Sequence, residues 1–211
     1  MEQECSKCDN LRHVLKGGKW TRCSCLKGLK LPERLVEAGI DAESVNDQIH
    51  TLKGMCESSK YLKLRTWFIE YKNKVMKGGF QRSLWLNSSS LESGKVLLAS
   101  LVKVTFSLNR SAKVYHLSDL LMEITDNRGR QTVYQEMIKL YLMCLDVSEG
   151  SVNEKAIQFS SRFMGLVCRR RLREGKAVVM VTNSKGEGLK KRVGVEVIRL
   201  LQSKGFDRIE C

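Results

Sequence analysis

Four cysteines stand within the first 25 residues of this 211-residue chain, spaced Cys5-x2-Cys8-x14-Cys23-x-Cys25. Two short clips joined by a spacer suit tetrahedral thiolate coordination, each clip supplying two ligands from one tight turn. Zinc is the metal such a set selects, and four sulfurs leave no open position, so the expected role is structural. Lys7, Lys16, Lys19, Arg22 and Lys27 surround the cluster and would offset the local charge of a zinc tetrathiolate, about −2. His13 lies between the clips and could replace one cysteine; with four thiols at hand it reads as a surface residue or a neighbour of the metal. Cys56, Cys144, Cys168 and Cys211 have no such spacing and read as isolated thiols.

A second chemistry is suggested by the segment from Leu84 to Val96, LWLNSSSLESGKV. It reads as a strand, a run of small residues and a helix opening at Gly94-Lys95, the layout of a loop that cradles phosphate at a helix N-terminus. Against G-x-x-x-x-G-K-[ST] it keeps Gly94 and Lys95. It places Ser89 where the first glycine belongs and Val96 where a hydroxyl would reach Mg2+. About 50 residues on, the apolar run Leu142-Met-Cys-Leu ends in Asp146, where a metal-facing acid would stand. Whether these residues hold ATP and Mg2+ or only begin and end elements stays open at this level.

Charge is the third feature. The formal net charge is +14, and Arg162 to Cys211 alone holds 13 lysines and arginines against 5 acids. Such an excess favours polyanions through counterion release. Arg169, Arg170, Arg171 and Arg173, with Lys190, Lys191 and Arg192, are the candidate contacts to single-stranded DNA. Arginine matches phosphate by its bidentate fork. An acidic protein partner is the second reading of the same charge.

These residues need elements to hold them. Pro32 and Gly39 bracket a short helix, and residues 41–56 read as a connector. Apolar residues at Tyr61, Leu64, Trp67, Phe68, Tyr71 and Val75 predict a helix over 58–76 ended by Gly78-Gly79. Strand-like runs at 83–86, 113–117, 140–145 and 177–182 then alternate with helix-length segments at about 95–108, 118–138, 152–174 and 187–204. That alternation predicts an α/β fold with a parallel sheet sandwiched by helices. No apolar run approaches the roughly 18 residues of a membrane span. The first residues are polar, so the expected compartment is a cytoplasm, without membrane attachment.

On these residues the chain resembles the DnaC/IstB-like AAA+ family of helicase loaders and transposition helpers, bacterial and phage. The resemblance rests on the cysteine head, on Leu31–Ile40 (LPERLVEAGI), and on Asn87–Lys95 as nucleotide loop. It rests further on Tyr115–Leu121 as second strand and helix, Leu142–Asp146 as Walker B, and Arg170–Asn183 with Asn183 at sensor 1. It implies a P-loop type AAA+-like domain over 57–211 without a separate lid, a zinc module over 1–30, and a short helix and connector over 31–56. It implies nucleotide-site residues Gly94, Lys95, Asp146 and Asn183, a replicative helicase docked through the zinc module, single-stranded DNA, and homo-oligomers, in a bacterial cell or phage-infected host.

The sequence departs from the family pattern at four places. Glu92 stands where a loop glycine is usual, and Val96 where the Mg2+ hydroxyl is. Val147 replaces the acid that follows the Walker B aspartate, with Glu149 two residues on, and Glu196 replaces the arginine finger. Together these imply a replication accessory protein with weak or no ATP hydrolysis, so no catalytic residue is assigned. A working AAA+ ATPase of the transposition-helper kind, and a decoy that blocks a helicase, are the alternatives.

Overall fold

The computed structural model describes residues 13–16, 19–22, 31–77, 82–88, 90–124, 127–147, 154–183, 186–203 and 205–210. Its first elements are β1 (His13–Lys16) and β2 (Lys19–Arg22), an antiparallel pair in which Val14 faces Thr21 and Leu15 faces Trp20. The four cysteines of the expected zinc module, and Gly78-Gly79, lie outside the described residues.

The body is a five-stranded parallel sheet built from β3 (Ser83–Asn87), β4 (Ala112–His116), β5 (Leu142–Asp146), β6 (Ala177–Thr182) and β7 (Phe206–Glu210), in the order β4-β5-β6-β3-β7. β3, β5 and β6 are buried along their whole length, which is why they read as continuous apolar runs and not as alternating ones. Successive side chains point to opposite faces. On one face Leu84, Leu86, Cys144, Val179 and Val181 meet Leu35, Trp67, Phe68, Leu97 and Leu101. These last five come from α1 (Leu31–Glu37), α2 (Ser58–Lys77) and α3 (Leu91–Ser107). On the other face Trp85, Met143, Leu145, Val178 and Met180 meet Leu120, Met137, Phe163, Val167 and Val197. Their helices are α4 (Leu117–Glu123), α5 (Asn127–Lys139), α6 (Glu154–Arg173) and α7 (Gly186–Leu201). The expected sheet sandwiched by helices is present.

Several details differ from the sequence reading. The single helix expected over 118–138 is two helices, α4 and α5. Residues 41–56 are more than a connector. They hold two short 3-10 turns, Ala42–Asn46 and Ile49–Gly54, and put a wholly buried Leu52 into the same core as α3. β7, a short edge strand pairing with β3, was not expected at all. α7 is broken at Gly194, whose φ of 75° and ψ of 166° are not helical. α3 opens at Leu91, one turn before the expected start.

Candidate nucleotide site

From β3 the chain crosses to β4 at the far edge and returns through β5 and β6, so β3 marks a switch point in the sheet. In open α/β sheets ligands bind in the crevice beyond the strand ends at such a point. Gly94, Lys95, Asp146 and Asn183 all belong to this end of the sheet, near the start of α3 or just at the ends of β5 and β6.

The segment expected to be a phosphate loop is too short to be one. Only residues 88–90 separate the end of β3 from Leu91, the first residue of α3. The polar groups of Ser88 and Ser90 are used internally. The Ser88 amide donates to Thr182 O at 2.8 Å. The Ser90 amide donates to Ser88 Oγ at 3.1 Å. Ser93 Oγ donates to Ser90 O at 2.9 Å, and the Ser88 and Ser93 hydroxyls meet each other. A phosphate cradle needs amides that point outward without partners, and two of this turn's amides are already bonded. Glu92, expected in the loop, is instead an exposed acid in the first turn of α3.

Gly94 sits within α3 for a packing reason. A Cβ built on it would lie 2.5 Å from Val181 Cγ1 on β6, so only glycine lets the helix approach the strand this closely. Lys95 pairs with Asp41 at 2.8 Å. Val96 is buried. Asp41 follows a stretch that docks on the edge of β4. Ala38 O accepts from the Val114 amide at 2.7 Å. At Gly39, with φ of 84°, an added Cβ would lie 2.4 Å from Val114 O.

Asp146 is almost wholly buried, and its strand partner in register is His116. His116 Nδ1 lies 3.5 Å from Asp146 Oδ2, and Nε2 lies 3.0 Å from Gly39 O. Acceptors at both ring nitrogens favour the imidazolium, and the hydrogen bond with Asp146 is the main cause raising the His116 pKa to about 9. The ring therefore brings a positive charge to the carboxylate that would otherwise face Mg2+. Asn183 follows β6 directly and is half-buried, and Val147 is buried with its amide bonded to Val181 O. Gly39, Asp41, Lys95, His116 and Asp146 line a shallow open cleft. As arranged here, the described residues do not fit a Mg2+-nucleotide: the lysine, the aspartate and the amides of Ser88 and Ser90 each already have a partner. Glu149 and Ser89 lie outside the described residues. Sequence reasoning missed Asp41 and His116. The second was findable, because a histidine ending the strand beside Walker B must stand next to its aspartate.

The basic residues divide. Arg171 is not a DNA contact in this structure, a correction to the sequence reading. It is 0% exposed, and its guanidinium donates to four carbonyls, those of Met137, Leu140, Tyr141 and Ala177. Arg169, Arg170, Arg173, Lys190 and Lys191 are exposed. Arg169 pairs with Glu196 across the α6–α7 contact, which gives that glutamate a partner within the chain. Arg170 pairs with Glu174, and Lys190 with Glu187 at 3.2 Å. Arg192 is half-buried and donates to Val147 O at 3.3 Å.

The sheet and its two helical layers are a fold shared with solved structures of DnaI and the DnaC helicase loader. The chain is similar to a crystal structure of DnaI, with 15% identity, 81% of this chain and 90% of that one covered, and a TM-score of 0.63. It is similar to a putative primosome component from Streptococcus pyogenes serotype M3 at 12% identity, over 82% and 90% of the two chains, with a TM-score of 0.57. A crystal structure of the DnaC helicase loader matches at 12% identity, over 80% and 98%, with a TM-score of 0.56. No protein-family model matches the chain, and no curated protein matches it. Among the described residues no helix is long and apolar enough to cross a membrane.

Proposed function

We propose that this protein is a helicase-loader-like accessory factor of DNA replication that acts with little or no ATP hydrolysis, in a cytoplasm. The observation that carries the reading is a loader-type fold in which only residues 88–90 join strand to helix where a phosphate loop would wrap, and in which the chain's own charges take the crevice's lysine and aspartate. Asp41 takes Lys95 and His116 takes Asp146, while the fold is shared with DnaI and the DnaC helicase loader. With the nucleotide site closed in this way, function passes to binding surfaces. A zinc head held by Cys5, Cys8, Cys23 and Cys25 docks a replicative helicase. The antiparallel β1–β2 hairpin, which runs out and back between the two cysteine pairs, supports that head. The exposed Arg169, Arg170, Arg173, Lys190 and Lys191 touch single-stranded DNA, and copies of the chain assemble without an ATP-bridged arginine finger.

The deciding experiment is co-purification with a replicative helicase, followed by an unwinding assay. Stable association lost in Cys8→Ser, together with one equivalent of zinc in the intact protein, is the expected result. Stimulated unwinding marks a loader and suppressed unwinding a blocker. No association, with DNA binding intact, overturns the reading. Labelled ATP separates the reading from that of a working ATPase: micromolar, Mg2+-dependent binding abolished by Lys95→Ala would refute a closed site.

A further inference from the structure

α2 buries one face and carries a second apolar line on the opposite one. Leu64, Trp67, Phe68, Tyr71 and Val75 go into the core. At 100° per residue, Leu62, Ile69 and Met76 fall on the far side of the helix. They are 55%, 44% and 52% exposed. They stand seven residues apart, so they form one nearly straight stripe about 21 Å long. Scattered exposed leucines need no explanation, but an aligned apolar row rimmed by charge marks a contact surface. The rim here is basic. α2 holds six lysines and arginines against one glutamate. Arg65 and Lys72 flank the stripe on one side and Lys77 on the other, all exposed.

Charge selects the occupant. A second copy of α2 would bring the same basic rims together, and like charges facing each other across an interface oppose association. The chain's first 30 residues are also basic, with seven lysines and arginines against three acids, so they suit this surface no better. Nucleic acid would satisfy the rim but not three aliphatic side chains, since bases stack on aromatic or guanidinium planes. We infer that the exposed face of α2 docks an acidic amphipathic helix of a partner protein, one presenting aliphatic residues at helical spacing between rows of Asp and Glu. The mode is helix against apolar row, read at i and i+7, with the rim charges setting the encounter rate. None of these residues belongs to the nucleotide crevice, and the proposal stands or falls apart from the proposed function.

The test uses the full chain and a fluorescein-labelled synthetic helix carrying leucines at seven-residue spacing flanked by glutamates, with a twin in which lysines replace the glutamates. By anisotropy in low salt, the glutamate peptide is expected to bind and the lysine twin to bind at least about tenfold more weakly. Ile69→Ser and the double change Arg65→Glu/Lys72→Glu should each weaken the glutamate peptide by about tenfold or more. Because all three residues are exposed, their circular dichroism and melting temperature should stay unchanged. No binding of the glutamate peptide, equal binding of both peptides, or full affinity in Ile69→Ser overturns the proposal. So does dimerisation in sedimentation that disappears in Ile69→Ser, or loss of oligo-dT binding in that variant; the first would assign the stripe to a second copy and the second to nucleic acid.

Discussion

Arg171 is the residue whose replacement separates a structural arginine from a DNA-binding one. It comes from the last turn of α6 and reaches carbonyls from two places. Met137 O, Leu140 O and Tyr141 O belong to the end of α5 and the turn after it, and Ala177 O opens β6. A helix end leaves its last carbonyls without intrahelical partners, and a cation there also meets the negative end of the helix dipole. Lys176 assists by donating to Ile138 O at 2.7 Å. Burial draws the Arg171 pKa down to about 10, so the group is still charged at neutral pH. Replacing it with methionine keeps much of the volume and removes all four bonds. Each buried carbonyl left unpaired costs about 1–3 kcal/mol, while relief from burying a charge returns several kcal/mol. The expected net loss is about 3–5 kcal/mol, out of a total stability of about 5–15 kcal/mol. For a chain of this size that lowers the melting temperature by roughly 10–15 °C. Arg171→Lys should recover little, because one ammonium cannot span carbonyls on both elements. The assay is urea unfolding followed by tryptophan fluorescence, with oligo-dT affinity measured well inside the folded baseline. A midpoint shifted by less than about 1 kcal/mol, together with a drop in DNA affinity, would refute this account.

Two further outcomes follow from the crevice. Gly94→Ala should destabilise by about 1–3 kcal/mol, since the new methyl would sit 2.5 Å from Val181 Cγ1. Without that contact alanine in a helix would be stabilising by up to about 1 kcal/mol, so the sign of the urea-midpoint change decides, and Val181→Ala should offset the loss. His116 has a folded pKa of about 9, above its ordinary 6.5. Its pairing therefore contributes fully below about pH 6.5, and the contribution is lost as pH rises through about 9. At about 1.4 kcal/mol per pKa unit, reduced for a ring that solvent still reaches, the change is about 1–2 kcal/mol. Unfolding midpoints between pH 6 and 10 should show it in the parent protein and not in His116→Gln.

The sheet was legible because its strands are buried on both faces and so spell continuous apolar runs, as in LYLMCL and AVVMVT. β7 was not, because its pattern of buried and exposed positions in FDRIE is that of a short edge strand after a turn. At the site, Asp146 closes the apolar strand that local spacing predicts and Lys95 lies one turn inside α3, but their partners were not legible. Asp41 lies 54 residues from Lys95, and only the docking of Ala38 and Gly39 on the edge of β4 brings it there. The arginine run illustrates a different limit. Arg169, Arg170, Arg171 and Arg173 look equivalent in sequence, yet a 100° step between neighbours turns Arg171 into the core while the other three face outward.

Lys95–Asp41 is the most visible obstacle to a nucleotide, but its energy is too small to be the decisive one. The pair is partly open to solvent on both sides, and such pairs contribute about 0–1 kcal/mol. Removing Asp41 would abolish this pair and change affinity for a triphosphate by less than about fivefold. The larger obstacle is the turn itself. Ser88 and Ser90 amides already have acceptors, and α3 starts at Leu91, two residues after the position of the first loop glycine, leaving residues 88–90 alone between strand and helix. Asp41→Ala should therefore leave ATP binding undetectable at micromolar concentrations. Asp41→Ala combined with a G-x-x-x-x-G-K-T segment spliced between Asn87 and Leu97 should restore it, provided His116→Gln also releases Asp146 for Mg2+. Isothermal titration with Mg2+-ATP distinguishes the two. Tight binding in Asp41→Ala alone would mean that one ion pair, and not the missing loop, had closed the site.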